Sequence, residues 1–276
     1  MADANEFEGR AMLVSGAGRG IGKRLALAFA GLGAHVGLLA RSKAELELAQ
    51  LEIEHAGGRA AGFLCDVRDY RQVEEAVARF RELAGPVRAL VCAHGSFGAI
   101  GPLAQCDPGE WMEGVETNLG GAMHLCRAVL PDMLAAREGK IVFLAGPGAA
   151  HPRANFSSYS AAQAALARLA ETLAEEVREA NVQVNCMNPG PTYTSLTDDI
   201  IAAGARAGAA ELEAALKLRT SGGTRPDEQV ALARFLCSSR SNHVSGMLIS
   251  VSDNWRKLEH SRSHAGMFTL RRIFRG

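Results

Sequence analysis

The sequence predicts an α/β domain: one doubly wound, parallel sheet of about seven strands with helices on both faces. Short, continuously apolar runs, such as residues 11–14, His35–Ala40 and residues 87–93, read as strands buried on both sides. Longer segments with apolar residues at helical spacing alternate with them along the chain. No Pro/Ser-rich linker and no internal repeat divides the 276 residues, a length that suits one sizeable domain.

The first strand, residues 11–14, runs into Ser15-Gly16-Ala17-Gly18-Arg19-Gly20-Ile21-Gly22. Residues 21–32 follow as a helix, with Ile21, Leu25 and Phe29 recurring on one face. The glycines therefore stand at a strand-to-helix turn. Gly16 and Gly20 let the backbone bend tightly and approach a ligand without a Cβ in the way. The helix start offers free N–H groups and the positive end of its dipole, which suits a pyrophosphate. A dinucleotide-binding loop is the expectation; a tight turn without a ligand is the plain alternative.

His35–Ala40 is the second strand and residues 43–56 the next helix. Residues 60–65 form the third strand, then Asp66-Val67 and a helix carrying Val73, Val77 and Phe80. The fourth strand is 87–93, and 108–136 holds two helices' worth of chain. Strand 140–145, a long helix over 157–180, strand 182–187, helix Pro226–Cys237 and strand 247–251 complete the alternation. Residues 191–223 break it with a Gly/Ala-rich helical insert. Placed after a strand's C-terminal end, such an insert lies where open α/β sheets bind ligands.

Lys and Arg total 30, as do Asp and Glu, so the net charge is zero and no field draws the chain to nucleic acid or an anionic membrane. Every apolar run is interrupted before spanning length. The first nine residues carry two Glu and one Asp, unlike a signal peptide. Six scattered cysteines without a C-x-x-C pair point to buried thiols in a reducing cytoplasm rather than to disulfides or a metal site.

Cofactor choice is read at the end of the second strand, where an acid would accept the ribose 2′-OH of NAD and an Arg would accommodate the 2′-phosphate of NADP. Here Ala40-Arg41-Ser42 offers no acid, and Arg19 lies in the glycine loop, so NADP(H) is favoured over NAD(H). Arg41 as a solvated loop residue is the alternative. Asp66 can accept from an adenine amine or cap the helix that follows.

Together, Ser15-Gly16-x-x-x-Gly20-x-Gly22, Asp66-Val67, Gly95, Asn118, Tyr159 and Asn188-Pro189-Gly190 resemble the short-chain dehydrogenase/reductase family in order and spacing, over residues 8–252. The resemblance implies a single Rossmann domain, a homodimer or homotetramer, and hydride transfer between a nicotinamide and a carbonyl/alcohol pair of a small-molecule substrate. It implies cofactor contacts at Gly16, Arg19, Gly20 and Ile21, at Asp66, Val67 and Gly95, and at Pro189, Gly190 and Thr192; Arg41 and Ser42 join them from the ribose argument. It also assigns the catalytic positions to Asn118, Tyr159 and Gln163.

The departures are informative. The family's Asn-Asn-Ala-Gly reads Cys92-Ala93-His94-Gly95. Its active-site Ser falls on Ala145 or Gly146, neither of which has a hydroxyl. Its Tyr-x-x-x-Lys reads Tyr159-Ser160-Ala161-Ala162-Gln163. Tyr159 and Gln163 share a helix face, but an amide brings no charge to favour a phenolate. Tyr159 should titrate near the ordinary value of about 10, serving as an acid for reduction and poorly as a base for oxidation. A lost Ser donor is worth a few kcal/mol by analogy with single oxyanion donors. His94, Arg153 or the Ser157–Ser158–Ser160 cluster is expected to replace it, although singly Ser157 reads as a helix N-cap, His151 and Arg153 as loop residues, and His94 as a packed cofactor-loop residue.

Beyond the last strand, residues 253–276 mix Trp255, Met267, Phe268, Leu270, Ile273 and Phe274 with Arg256, Lys257, Arg271, Arg272 and Arg275. That mixture suggests an oligomer contact or an active-site cover, with a frayed terminus as the alternative. Three functions stay open: a ketone reductase for a small polar or natural-product ketone, a non-catalytic dinucleotide-binding protein, and a non-redox reaction on the same fold.

Overall fold

β1 (Ala11–Ser15) presents five consecutive buried residues, a run that suits a strand covered on both faces. The computed structural model describes residues 6–260 and 269–270. After β1 come α1 (Gly20–Gly31), β2 (His35–Ala40), α2 (Lys43–His55), β3 (Arg59–Leu64) and α3 (Tyr70–Ala84). The second half holds β4 (Val87–Cys92), α4 (Pro108–Val115), α5 (Gly121–Ala136), β5 (Gly139–Leu144), α6 (Ser157–Glu176) and β6 (Val182–Asn188). The insert folds as α7 (Ser195–Ala203) and α8 (Ala209–Ser221), and α9 (Pro226–Cys237) leads to β7 (Leu248–Ser250).

The seven strands lie in the order β3-β2-β1-β4-β5-β6-β7, every pair parallel. The order reverses between β1 and β4, so a crevice opens at their C-terminal ends. Register places Ser15 level with Leu39 on one side and Cys92 on the other. The glycine loop and the segment from Ala93 therefore leave the sheet at the same height. One core, including Phe63, Phe80, Val129 and Phe143, lies under α3, α5 and α6. The other, including Phe29, Leu232 and Phe235, lies under α1, α2 and α9. A smaller cluster joins the start of α6 to the insert: Phe97, Phe156, Tyr159, Ile200, Ala207 and Ala215.

Several local expectations are corrected. The helix expected over 157–180 stops at Glu176; Arg178–Ala180 is a 3-10 turn, closed by Asn181 at φ 54°. Ser157 is the first helical residue of α6 rather than its cap: Phe156 holds the cap position without a side-chain bond. Residues 108–136 do give two helices, but they are fused through a π-helical turn, Glu116–Gly120. Trp255, expected at an interface or cover, is buried and stacks on Phe235 at 5.4 Å between ring centroids. The start of the tail thus completes the core over α9. Leu270 returns to α6, donating to Glu171 and accepting from Arg168. Met267, Phe268, Arg271, Arg272, Ile273, Phe274 and Arg275 lie outside the described residues. No helix among the described residues is long and apolar enough to cross a membrane. Five of the six cysteines are buried and Cys106 is half-buried; all are free thiols.

Candidate active site

At the glycine loop, φ is +65° at Gly16 and +59° at Gly20, in the left-handed region that favours glycine. A Cβ on Gly16 would lie 2.7 Å from the Ala93 carbonyl oxygen, and one on Gly22 would lie 2.3 Å from that of Gly16. These two glycines therefore admit backbone to backbone. Arg19 caps α1 by backbone geometry only, with no side-chain bond and no acid in the first turn. A helix start left uncapped in this way fits a pyrophosphate. Across the crevice, Gln229 donates to the Pro189 carbonyl (2.9 Å) and to the Thr192 hydroxyl (2.6 Å), and its own oxygen accepts from Arg24. Gln229, buried in the first turn of α9, pins the Pro189–Gly190–Thr192 segment, a role the sequence did not signal.

Arg41 follows the end of β2, and Arg19 stands in the glycine loop. Arg41 is exposed and makes no hydrogen bond or ion pair among the described residues. Ser42 is engaged as the cap of α2, accepting from the Glu45 N–H at 3.3 Å. Glu45 accepts from Arg19 at 3.2 Å, and its carboxylate lies 3.1 Å from where a Cβ on Gly18 would stand. An acid thus stands by the glycine loop, one helical turn after the strand end. Ser42-Lys43-Ala44-Glu45 is a capping-box pattern, and that was the available signal.

Asp66 is gripped by Arg68 through three contacts of 2.7–3.1 Å, which hold its carboxyl below the usual range. The N-cap alternative for Asp66 falls, because Asp69 caps α3 through the N–H groups of Arg71 and Gln72. The Val67 carbonyl accepts from His124 at 2.8 Å.

His94 lies on this cofactor side. Its Nδ1 is 2.6 Å from the Ser15 hydroxyl, tying the end of β1 to the end of β4. Its Nε2 is buried without a hydrogen-bond partner, 2.9 Å from where a Cβ on Gly121 would stand. Burial pushes the ring's pKa down to about 4, so the imidazole is neutral at physiological pH.

The other half of the site is built on α6. Tyr159 is 7% exposed, with its ring edge-to-face against Phe97 at 4.9 Å. A Cβ on Gly146 would lie 2.1 Å from the phenol oxygen. The phenol has moved into the room that a side chain at position 146 would need. Burial raises its pKa to about 12, against a smaller opposing pull from the Arg153 charge. The expectation of an ordinary value is corrected upward, because the ring is desolvated as well as lacking an ammonium neighbour. Gln163 accepts from the Gly146 N–H at 2.9 Å, and its amide nitrogen has no partner among the described residues. Ala145 is fully buried and donates to the Met187 carbonyl.

Asn118 sits in the π-turn. Its amide donates to the carbonyls of Gly114 (2.6 Å) and Ser96 (2.7 Å), and its oxygen accepts from the Ser96 N–H. A Cβ on Gly95 would lie 3.1 Å from that oxygen, so the Gly95–Ser96 segment rests on Asn118. Of the groups expected to replace the missing hydroxyl, Ser157 accepts from the Trp111 indole and Ser158 donates to the Trp111 carbonyl. The Ser160 hydroxyl has no hydrogen-bond partner among the described residues and packs by Gly148. Arg153 alone reaches the phenol's surroundings, its guanidinium centre 5.9 Å from the Tyr159 ring. Tyr159, Gly146, Gln163 and Arg153 therefore stand together, whereas His94, Arg19 and Arg41 lie on the cofactor side.

The fold and the two half-sites define a nucleotide-binding oxidoreductase architecture. A family model described as short chain dehydrogenase matches residues 10–204, and the chain belongs to the short-chain dehydrogenase/reductase family. Cyclohexanol dehydrogenase of a Rhodococcus species is 32% identical over 91% of this chain and 97% of its own length. An actinorhodin polyketide ketoreductase variant solved with NADPH superposes with a TM-score of 0.81 at 27% identity, covering 88% of this chain and 95% of that one. A gluconate 5-dehydrogenase from Burkholderia cenocepacia, solved with NADP and tartrate, gives 0.79 at 26% identity, covering 91% and 96%.

Proposed function

We propose that the protein is a ketone reductase favouring NADP(H), with Tyr159 as the proton donor. The observation that carries this is the buried phenol. With its pKa raised to about 12, it stays protonated across the working range, suited to giving a proton and poorly suited to removing one. When bound, the reduced nicotinamide supplies the hydride to the carbonyl carbon. Tyr159 gives the carbonyl oxygen its proton, and the product is a secondary alcohol. Gly16, Arg19, Gly20, Ile21 and the first N–H groups of α1 would hold the pyrophosphate. Asp66, Val67 and Gly95 would line the adenosine, with Pro189, Gly190 and Thr192 closing the other side. Gln163 would donate its free amide to the nicotinamide ribose, and Asn118 acts as a positioning residue through Ser96. The family resemblance supports a homodimer or homotetramer working in the cytoplasm.

A non-catalytic dinucleotide-binding protein is the second reading. It is favoured by the missing hydroxyl at Gly146 and by the apolar cluster packed around Tyr159. Turnover of NADPH with a ketone panel separates the two.

The function is tested by a pair of pH–rate profiles, wild type and Gln163→Lys. In the wild type, reduction should be flat through neutrality, while alcohol oxidation rises with pH toward about 12 as phenolate forms. The lysine stands one helical turn from Tyr159 and favours the phenolate, so the oxidation profile should move to lower pH. An unmoved profile would mean that Tyr159 does not carry the proton.

Cofactor preference is tested by titration. NADP(H) should bind more tightly than NAD(H). Arg41→Ala should weaken only the phosphorylated cofactor, by about 10- to 100-fold for the loss of a charged hydrogen bond. Glu45→Gln removes the acid beside Gly18 and should tighten NADP(H). Equal affinities in the wild type would overturn the assignment.

A further inference from the structure

The apolar cluster that joins Tyr159 to the insert has a cation beside it. Arg153 comes from the loop between β5 and α6. Its Nε and one terminal nitrogen donate to the two carboxylate oxygens of Glu211 at 2.8 and 2.7 Å. Its guanidinium centre lies 4.1 Å from the Phe156 ring centroid and 5.1 Å from that of Phe97. Rings on which an arginine stacks keep it in place whether or not its carboxylate partner stays. Glu211 is on the first turn of α8, which belongs to the insert. The same loop reaches the insert a second time, where Asn155 donates to the Ala207 carbonyl.

The Arg153 side chain is 14% exposed and that of Glu211 is 30%, so the acid is the accessible member of the pair. A two-pronged arginine–carboxylate pair is a geometry that any carboxylate can reproduce. Glu211 thus occupies the place of an external carboxylate on an arginine that faces the proposed proton donor. The guanidinium centre is 5.9 Å from the centroid of the Tyr159 ring, so a carboxylate held on Arg153 sets the rest of its molecule beside that ring.

We propose that the substrate is a cyclic keto acid whose carboxylate displaces Glu211 from Arg153. Release of α8 uncovers Phe97 and Phe156, both buried while Glu211 is in place; the substrate's ring then packs against them and its carbonyl lies at the Tyr159 phenol. This names the substrate class of the reductase proposed above and rests on that reading. Glu211 acts as an internal competitor that holds α8 over the site until the substrate arrives.

The test is calorimetric, on the full chain saturated with NADP+, so that a ketone binds without being reduced. The probes are 3-oxocyclohexanecarboxylate, its methyl ester and cyclohexanone. The acid should bind at least tenfold more tightly than the ester. Glu211→Gln should tighten the acid and leave the ester unchanged, and Arg153→Leu should abolish the difference. Equal binding of acid and ester by the wild type, or no binding of either, overturns the proposal even if neither variant folds. Weaker acid binding by Glu211→Gln overturns it as well, since the pair would then be a strut rather than a latch. With NADPH present the two readings part. An acid that is bound in preference but never reduced keeps the carboxylate site and removes the reductase. Cyclohexanone reduced without any preference for the acid does the reverse.

Discussion

Tyr159→Phe should lower ketone reduction by about 10²- to 10⁴-fold, the range that a positioned general acid contributes. Among the described residues, the phenol is the acid group that stands against position 146. Ser157 and Ser158 are committed to Trp111, and His94 is neutral and on the cofactor side. The substitution removes a single oxygen from a ring fixed by Phe97 at 4.9 Å, so the packing and the fold should survive. Cofactor affinity should stay close to that of the wild type, because the uncapped start of α1 and the segment pinned by Gln229 are untouched. Single-turnover rates with NADPH and separate cofactor titrations check both halves. Retention of most of the rate would leave Tyr159 as a packing residue and pass the proton to another group, with Arg153 unsuited because a guanidinium keeps its protons.

Gly146→Ser should damage the protein rather than restore a missing donor. Backbone φ at Gly146 is −82°, which any residue adopts, so the main chain raises no objection. The obstacle is the phenol oxygen, 2.1 Å from where the new Cβ must stand. Moving it means tilting a ring enclosed by Phe97, Phe156 and Arg153. Overpacking of this kind costs about 1–3 kcal/mol. At a shift of roughly 2–4 °C per kcal/mol for a domain of this order, Tm should fall by several degrees. Displacing the acid by about 1 Å should reduce ketone reduction by roughly 100-fold, despite the added hydroxyl. Thermal melts and rates on the same preparation decide the matter. A stable variant that reduces ketones faster would show that the phenol swings freely and that the site had merely lost a donor.

The Tyr159 expectation is already in the chain, whereas the Gly146 expectation departs from what the chain alone suggests, and the reason is distance along the sequence. The strands were legible because apolar runs such as His35–Ala40 need no partner to be recognised. Ends were less so: the long run into residue 180 hides the change at Glu176, where the helix gives way to a 3-10 turn. Motif residues fell on the crevice because β1, β4 and the chain order of the sheet put them there. What each one touches was not legible. Asp66 and Asp69 are both plausible caps, and only the turn geometry shows that Asp69 serves while Asp66 holds Arg68. Arg153 and Glu211 are 58 residues apart, and neither carries a local mark of the other. Gly146 reads as a missing hydroxyl in the chain; in three dimensions it is room already taken by Tyr159.

The π-turn that carries Asn118 ties function to chain length. A π-turn holds one more residue than an α-helical turn. Deleting any one of residues 116–120 would let α4 and α5 merge into a regular helix. The flanking turns of α4 and α5 would keep their faces, because the extra residue is what the π-turn absorbs; the positions within the turn would change. Asn118, inside the turn, would leave Ser96, while Trp111 on α4 would keep its bonds to Ser157 and Ser158. A single-codon deletion here is therefore equivalent to pulling out the post on which the Gly95–Ser96 segment rests. Across related genes, this segment should tolerate changes of letter more readily than changes of count.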